Sequence, residues 1–145
     1  MRNAITVFAV AALCAAIAAC TSITVTPVEP ALKMTHVCIK TNPDVRVSDF
    51  LPTLVKGLTR NGVTSEVLEN EERTKSCEFV LTYTALQTWD FTTYLSKAEI
   101  WIHQDGKQVA YAEYHLRGKG GLSPAKWADT ESKMDPVIDE LFGKN

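Results

Sequence analysis

The chain opens on one unbroken apolar run and afterwards alternates between helical and extended periods. Residues 5–17 are almost wholly apolar, with Arg2 and Asn3 ahead of them and the small residues Ala18 and Ala19 behind. The run is too short to cross a bilayer, which takes about 20 apolar residues. It has the build of a secretory signal over residues 1–19. Residues 21–34 carry Pro27 and Pro30 and hold no sustained period. They read as an extended tether of at most about 45–50 Å.

Residues 35–145 read as one domain. His36–Lys40 is β-rich and predicts the first strand, closed by the turn residues Asn42, Pro43 and Asp44. Phe50, Leu51, Leu54, Val55 and Leu58 recur at helical spacing and predict a helix from a Ser48 cap to about Arg60. Pro52 is tolerable in its first turn, and Asn61-Gly62 ends it. Residues 63–68 predict a second strand and 69–76 a charged loop. In residues 77–86, Phe79, Leu81, Tyr83 and Ala85 alternate with polar positions, the mark of a half-buried strand. Residues 89–93 turn the chain. Strands follow at 94–103 and 108–116.

Between these last two strands, Gln104-Asp105-Gly106 fits a three-residue loop. That loop pairs Ile100 with Ala110, Trp101 with Val109 and Glu99 with Tyr111, and places the alanines and isoleucines on one face. Ser123 and Pro124 predict the start of a final helix. Trp127, Met134, Ile138 and Leu141 form its buried stripe, and Asp135-Pro136 is a kink or restart. The order is β-α-β-β-β-β-α. Two amphipathic helices and one apolar sheet face predict an α+β fold: a two-layer sandwich, a mostly antiparallel sheet with both helices on one face.

Composition narrows the partners. Of fifteen basic and seventeen acidic residues, the signal segment holds only Arg2, so the remaining 126 of 145 residues carry a net charge of −3. With no basic excess and no Lys/Arg run, nucleic acid is not an expected partner, nor is electrostatic docking on anionic lipid.

The residues at the end of the signal carry a specific pattern. Ile17-Ala18-Ala19-Cys20 resembles the lipobox of bacterial lipoproteins, an aliphatic residue and two small ones before a cysteine. The resemblance implies cleavage before Cys20, a diacylglycerol on its thiol and an acyl chain such as palmitate on its new amine. Two chains already anchor stably. Thr21 and Ser22 lack the aspartate of inner-membrane retention, which implies the outer membrane's inner leaflet, facing the periplasm. An ordinary signal peptide cut after Ala19 is the plainer alternative. Lipobox, cysteine pair and element order together resemble small lipoproteins of Gram-negative bacteria. In element order alone they also resemble envelope accessory lipoproteins, including the partner of the lipopolysaccharide-export barrel.

Four cysteines are present. Cys14 leaves with the signal and Cys20 is the lipid site. Cys38 and Cys77 remain as an even pair in an oxidising compartment, expected as a disulfide. Free thiols or half of a metal site are the alternatives, but there is no CxxC, and the three histidines show no ligand spacing. No metal or cofactor is expected.

Candidate chemistry is sparse. No G-x-S-x-G, HExxH or paired-aspartate motif occurs, and His36, His103 and His115 read as exposed strand residues. The stretch 117–123, with Arg117, Lys119 and three glycines before a helix start, invites an anion but reads more simply as a connection. Trp101, Tyr111 and Val109 fall on the outward sheet face and form a candidate docking surface. The turn with Trp89 and Phe91 is a second one. The expectation is a non-enzymatic, lipid-anchored accessory module that binds an envelope protein. The alternative is a carrier or chaperone for a lipid or amphiphile, with a pocket lined by Leu54, Tyr83 and Tyr114.

Overall fold

The computed structural model describes residues 21–69, 71–121 and 123–144, with the side chains of Glu71, Glu72 and Lys119 left aside. The signal segment and Cys20 lie outside the described residues. The chain is a mixed α/β fold built on a six-stranded, mostly antiparallel sheet and two principal helices.

In chain order the strands are β1 (Thr21–Thr26), β2 (His36–Lys40), β3 (Thr64–Leu68), β4 (Phe79–Asp90), β5 (Thr92–Gln104) and β6 (Lys107–Leu116). The helices are α1 (Phe50–Arg60), a single turn α2 (Glu71–Thr74) and α3 (Thr130–Leu141). The sheet runs β1-β6-β5-β4-β2-β3. β2 is parallel to both β3 and β4; the remaining pairs are antiparallel. The observed order thus has one strand more than the sequence implies.

That extra strand replaces the expected tether. Thr21–Thr26 pairs with β6 from Thr21↔Leu116 to Thr26↔Tyr111. Its sequence, Thr-Ser-Ile-Thr-Val-Thr, is rich in β-branched residues, which suit a pleated surface. It is an edge strand with most positions exposed, so it lacks the alternation that marks a half-buried strand. After Pro27 the chain stays bound to the domain, because the Val28 amide donates to the Leu141 carbonyl at 2.8 Å.

The alternation read in β4 is the alternation observed. Leu81, Tyr83 and Ala85 turn inward with Ala98, Ile100 and Ile102 of β5 and Ala110, Ala112, Tyr114 and Leu116 of β6. These side chains share one buried cluster with Phe50, Leu54 and Leu58 of α1 and Met134, Val137, Ile138 and Leu141 of α3. The helices touch closely at Gly57, where a Cβ would lie 2.7 Å from Ile138 Cδ1. Asp49, not Ser48, precedes α1, and α3 runs on through Pro136.

The β5–β6 register corrects the expected one. Asp105 and Gly106 both have positive φ, the backbone of a two-residue hairpin loop. Gln104 pairs with Lys107, and after a bulge Ile102 pairs with Ala110, Trp101 with Tyr111 and Glu99 with Glu113. The partners have moved by two residues, which keeps every side chain on its face. Val109 sits at the bulge without pairing Trp101 and packs against the core edge.

At the far ends of the helices, Arg60 clasps α3. Its guanidinium meets Asp135 at 2.8 Å and Asp139 at 2.9 Å, and the Asn61 amide donates to Asp139 at 2.8 Å. Burial pushes the Asp139 carboxyl up, but the bonds from Asn61 and Arg60 outweigh it and hold the group below its ordinary 3.8. A depressed carboxylate stabilises the fold above the unfolded pKa, and that contribution fades as pH falls through the folded one. Asp139→Asn should therefore flatten the acid limb of a plot of Tm against pH below about 4. With both partners about one-third exposed, the difference is about 1 kcal/mol or less. An acid limb unchanged by the substitution would remove this group from the acid response.

Candidate functional site

The β4–β5 hairpin carries the most exposed aromatic residues of the described chain. Leu86 and Lys97 mark its base, where a bulge shifts the register. Beyond it, Trp89 pairs with Thr93 and Asp90 with Thr92, leaving Phe91 alone at the tip. Trp89 is 72% exposed and Phe91 87%. Phe91 has φ of 61°, a left-handed conformation that glycine adopts freely and a bulky side chain resists. Backbone strain and an exposed ring thus coincide at one residue.

The tip is held in place by a segment 36 positions further along the chain. Ser123 caps a 3-10 turn, Pro124–Trp127, by accepting from the Ala125 amide. That turn places Lys126 and Trp127 against the hairpin. Lys126 is only 5% exposed, and its ammonium lies 2.5 Å from Asp90 Oδ2 and 3.1 Å from the Gly121 carbonyl oxygen. Trp127 Nε1 donates to the Asp90 carbonyl at 3.0 Å. The Trp127 ring sits edge-on to Phe91 with centroids 6.4 Å apart. Beneath them, Lys133 donates to the Leu95 carbonyl at 3.0 Å and to the Lys126 carbonyl at 2.5 Å. Burial pushes the Lys133 ammonium down from its ordinary value. Gly120 makes this approach fit: it has φ of 77°, and a Cβ there would meet Lys126 Cβ at 2.8 Å.

This turn corrects one expectation. Trp127 does not belong to the buried stripe of the last helix. The chain breaks at Ala128, α3 begins at Thr130 with Asp129 as its cap, and Trp127 is left 41% exposed beside Phe91. In 117–123, read above as a connection, Arg117 donates to Ser22 Oγ at 3.2 Å.

The outward sheet face is arranged differently. Trp101 and Tyr111 pair directly, with ring centroids 5.8 Å apart, and both are half-buried. The Tyr111 hydroxyl lies 2.9 Å from Glu99 Oε1 and 3.0 Å from Glu113 Oε2. Lys97 reaches the same two carboxylates at 3.0 and 3.4 Å. Burial and the flanking carboxylates push the Tyr111 phenol far above its ordinary range. Burial also pushes Glu99 up, yet the hydrogen bonds from Lys97 and Tyr111 hold it below its usual range. These groups satisfy one another across the strands.

The cysteine pair is joined: Cys38 of β2 and Cys77, just before β4, form a disulfide with Cα atoms 6.2 Å apart. Among the described residues, His36, Cys38 and Glu66 bring ligand-type atoms within 4.8 Å. The Cys38 sulfur is bonded to Cys77, His36 Nδ1 meets Thr64 Oγ1 at 2.8 Å, and Glu66 meets Arg73 at 2.5 Å. Leu54 and Tyr114, the proposed lining of a carrier pocket, are buried in the core, where Phe50 stacks on Tyr83 at 5.4 Å. Tyr83 also reaches the wall of a groove of about 690 Å³ along the loop after β2, beside Asn42, Val47 and Leu51.

No protein-family model matches the chain, and no curated protein matches its sequence. Its fold is similar to that of the PelC dodecamer from Paraburkholderia phytofirmans, at 10% identity and a TM-score of 0.54, over 83% of this chain and 94% of that one. A leucine-to-methionine variant of that dodecamer aligns at 12% identity and 0.57, over 84% and 99%. At these identities the likeness shows the fold alone. A minor lipoprotein from Acinetobacter baumannii aligns at 15% identity over 75% of this chain and 87% of that one, but its TM-score of 0.31 carries no argument.

Proposed function

We propose that the chain is a membrane-anchored periplasmic lipoprotein, and that its domain is a non-enzymatic accessory module of the cell envelope. Cys20 carries the lipid, and the domain, a two-layer sandwich with both helices against one sheet face, sits at the inner leaflet of the outer membrane. The observation that carries this reading is the start of β1. Its first residue, Thr21, follows the lipobox cysteine directly and is already paired with Leu116. An anchor at Cys20 would therefore hold the folded domain against the bilayer, with no free tether between them. The strained, braced aromatic tip supports a binding role, since exposed aromatics held rigid are what a contact surface requires. No helix among the described residues is long and apolar enough to cross a membrane, in keeping with a lipid as the attachment.

The test is Cys20→Ala. The wild-type protein should fractionate with the outer membrane and carry acyl mass on its first residue. The variant should be released to the soluble periplasm or kept as an uncleaved precursor. A Cys20→Ala protein that still matures and stays with the outer membrane would overturn the anchor. The like-folded PelC chain is a dodecamer. Crosslinking the anchored protein in intact envelopes therefore reads out self-association and captured partners together.

A further inference from the structure

We propose that the β4–β5 tip is a second membrane contact: Trp89, Phe91 and Trp127 seat in the bilayer interface beside the lipid at Cys20. This rests on the anchored reading above and names the occupant of the tip.

The sheet register supplies the placement. Thr21 pairs with Leu116, the neighbouring His115 pairs with Lys97, and Lys97 pairs with Leu86 at the base of the tip. The residue after the anchor and the base of the hairpin therefore lie on one row across the sheet, at the same end. From that row β4 and β5 continue to Phe91, while β1 and β6 stop. At about 3.3 Å per residue the tip projects on the order of 10–15 Å past Thr21. Three strand spacings separate β1 from β4, a lateral offset of about 14 Å. A modest tilt of the strands brings anchor and tip to one plane, and that plane is the bilayer surface wherever Cys20 is lipidated.

The chemistry of the tip matches an interface and not a charged surface. Tryptophan and other amphipathic rings collect at the headgroup level, with an apolar body and a polar edge. The ionised groups in the tip are already satisfied by each other, Asp90 by Lys126. With a net charge of −3 beyond the signal, binding that survives high salt is the expected behaviour. Leu86, also exposed, adds apolar surface at the tip's base. Phe91 bears backbone strain at the outermost position, where glycine would bear none. The strain is accounted for if the ring is what the tip exists to present.

The experiment uses the full lipidated chain in phosphatidylethanolamine–phosphatidylglycerol vesicles, with brominated phosphatidylcholine as quencher. In Trp101→Phe, emission comes from Trp89 and Trp127 at the tip. In the double variant Trp89→Phe, Trp127→Phe it comes from Trp101 alone. Brominated lipid should quench the tip several-fold more strongly than Trp101, equally in low and high salt. Adding Phe91→Ser to the first variant should reduce tip quenching with Tm unchanged. Equal or absent quenching in a protein that carries acyl mass and floats with the vesicles overturns the tip contact and leaves the anchor standing. Blue-shifted tip emission without quenching gives the tip to a protein surface and overturns it too. Absence of both acyl mass and flotation overturns anchor and tip together.

Discussion

Removing the disulfide by Cys38→Ala with Cys77→Ala lowers the free energy of unfolding by about 4 kcal/mol. The two cysteines are 39 positions apart, and closing a loop of that length in the unfolded chain accounts for a loss of this size in the chain-entropy account. The place of the crosslink makes the loss matter. β2 joins the antiparallel strands only through its parallel contact with β4 at Cys38↔Val80 and Ile39↔Leu81. The covalent bond fixes that junction, whose partners lie 42 positions apart in sequence. Urea unfolding of the double variant measures the effect. Reductant should bring the wild type down to the variant and leave the variant unchanged. A loss below about 1 kcal/mol would mean that the unfolded chain is already compact around this loop.

The second large effect is at Phe50. Phe50→Ala should cost about 3–5 kcal/mol, as for truncation of a fully buried ring. Phe50 is 1% exposed, begins α1 and stacks on Tyr83 at the middle of the sheet. The cavity left behind would lie between helix and strand, where both backbones are fixed by their own hydrogen bonds and collapse is limited. Trp89→Ala removes a larger ring, yet at 72% exposure it should move stability by no more than about 0.5 kcal/mol. Denaturant midpoints of the two variants make the comparison. Equal losses would show that Trp89 is covered in solution.

The contrast marks what the sequence discloses. Inward positions of β4, β5 and β6 were readable because alternation over several residues leaves one consistent face. The β5–β6 partners were not, since a two-residue loop plus a bulge and a three-residue loop bury the same side chains and differ only in who stands opposite whom. β1 was hidden for another reason: as an edge strand with most positions exposed it buries no apolar row, and Pro27 and Pro30 behind it suggest a tether. Trp127 misled because seven residues separate it from Met134, two helical turns, while the actual chain breaks at Ala128 and turns the ring outward. The pairing of Cys38 with Cys77 was legible only once the signal and the lipobox had claimed the other two cysteines and left an even pair. The aromatic tip was legible as exposed rings in a turn; its bracing by Lys126 depends on a contact across 36 positions of sequence that no local pattern announces.

The pairing of β1 with β6 has a mechanical side. A chain held at Cys20 and tugged through its domain transmits force along the axis of β1, from Thr21 inward. β6 lies alongside over the whole span from Thr21↔Leu116 to Thr26↔Tyr111. The pull therefore slides one strand past the other and loads all the rungs of the ladder at once, where a perpendicular pull would unzip them singly. An anchor at Cys20 would make this junction a shear joint, with the strength of the whole sheet edge.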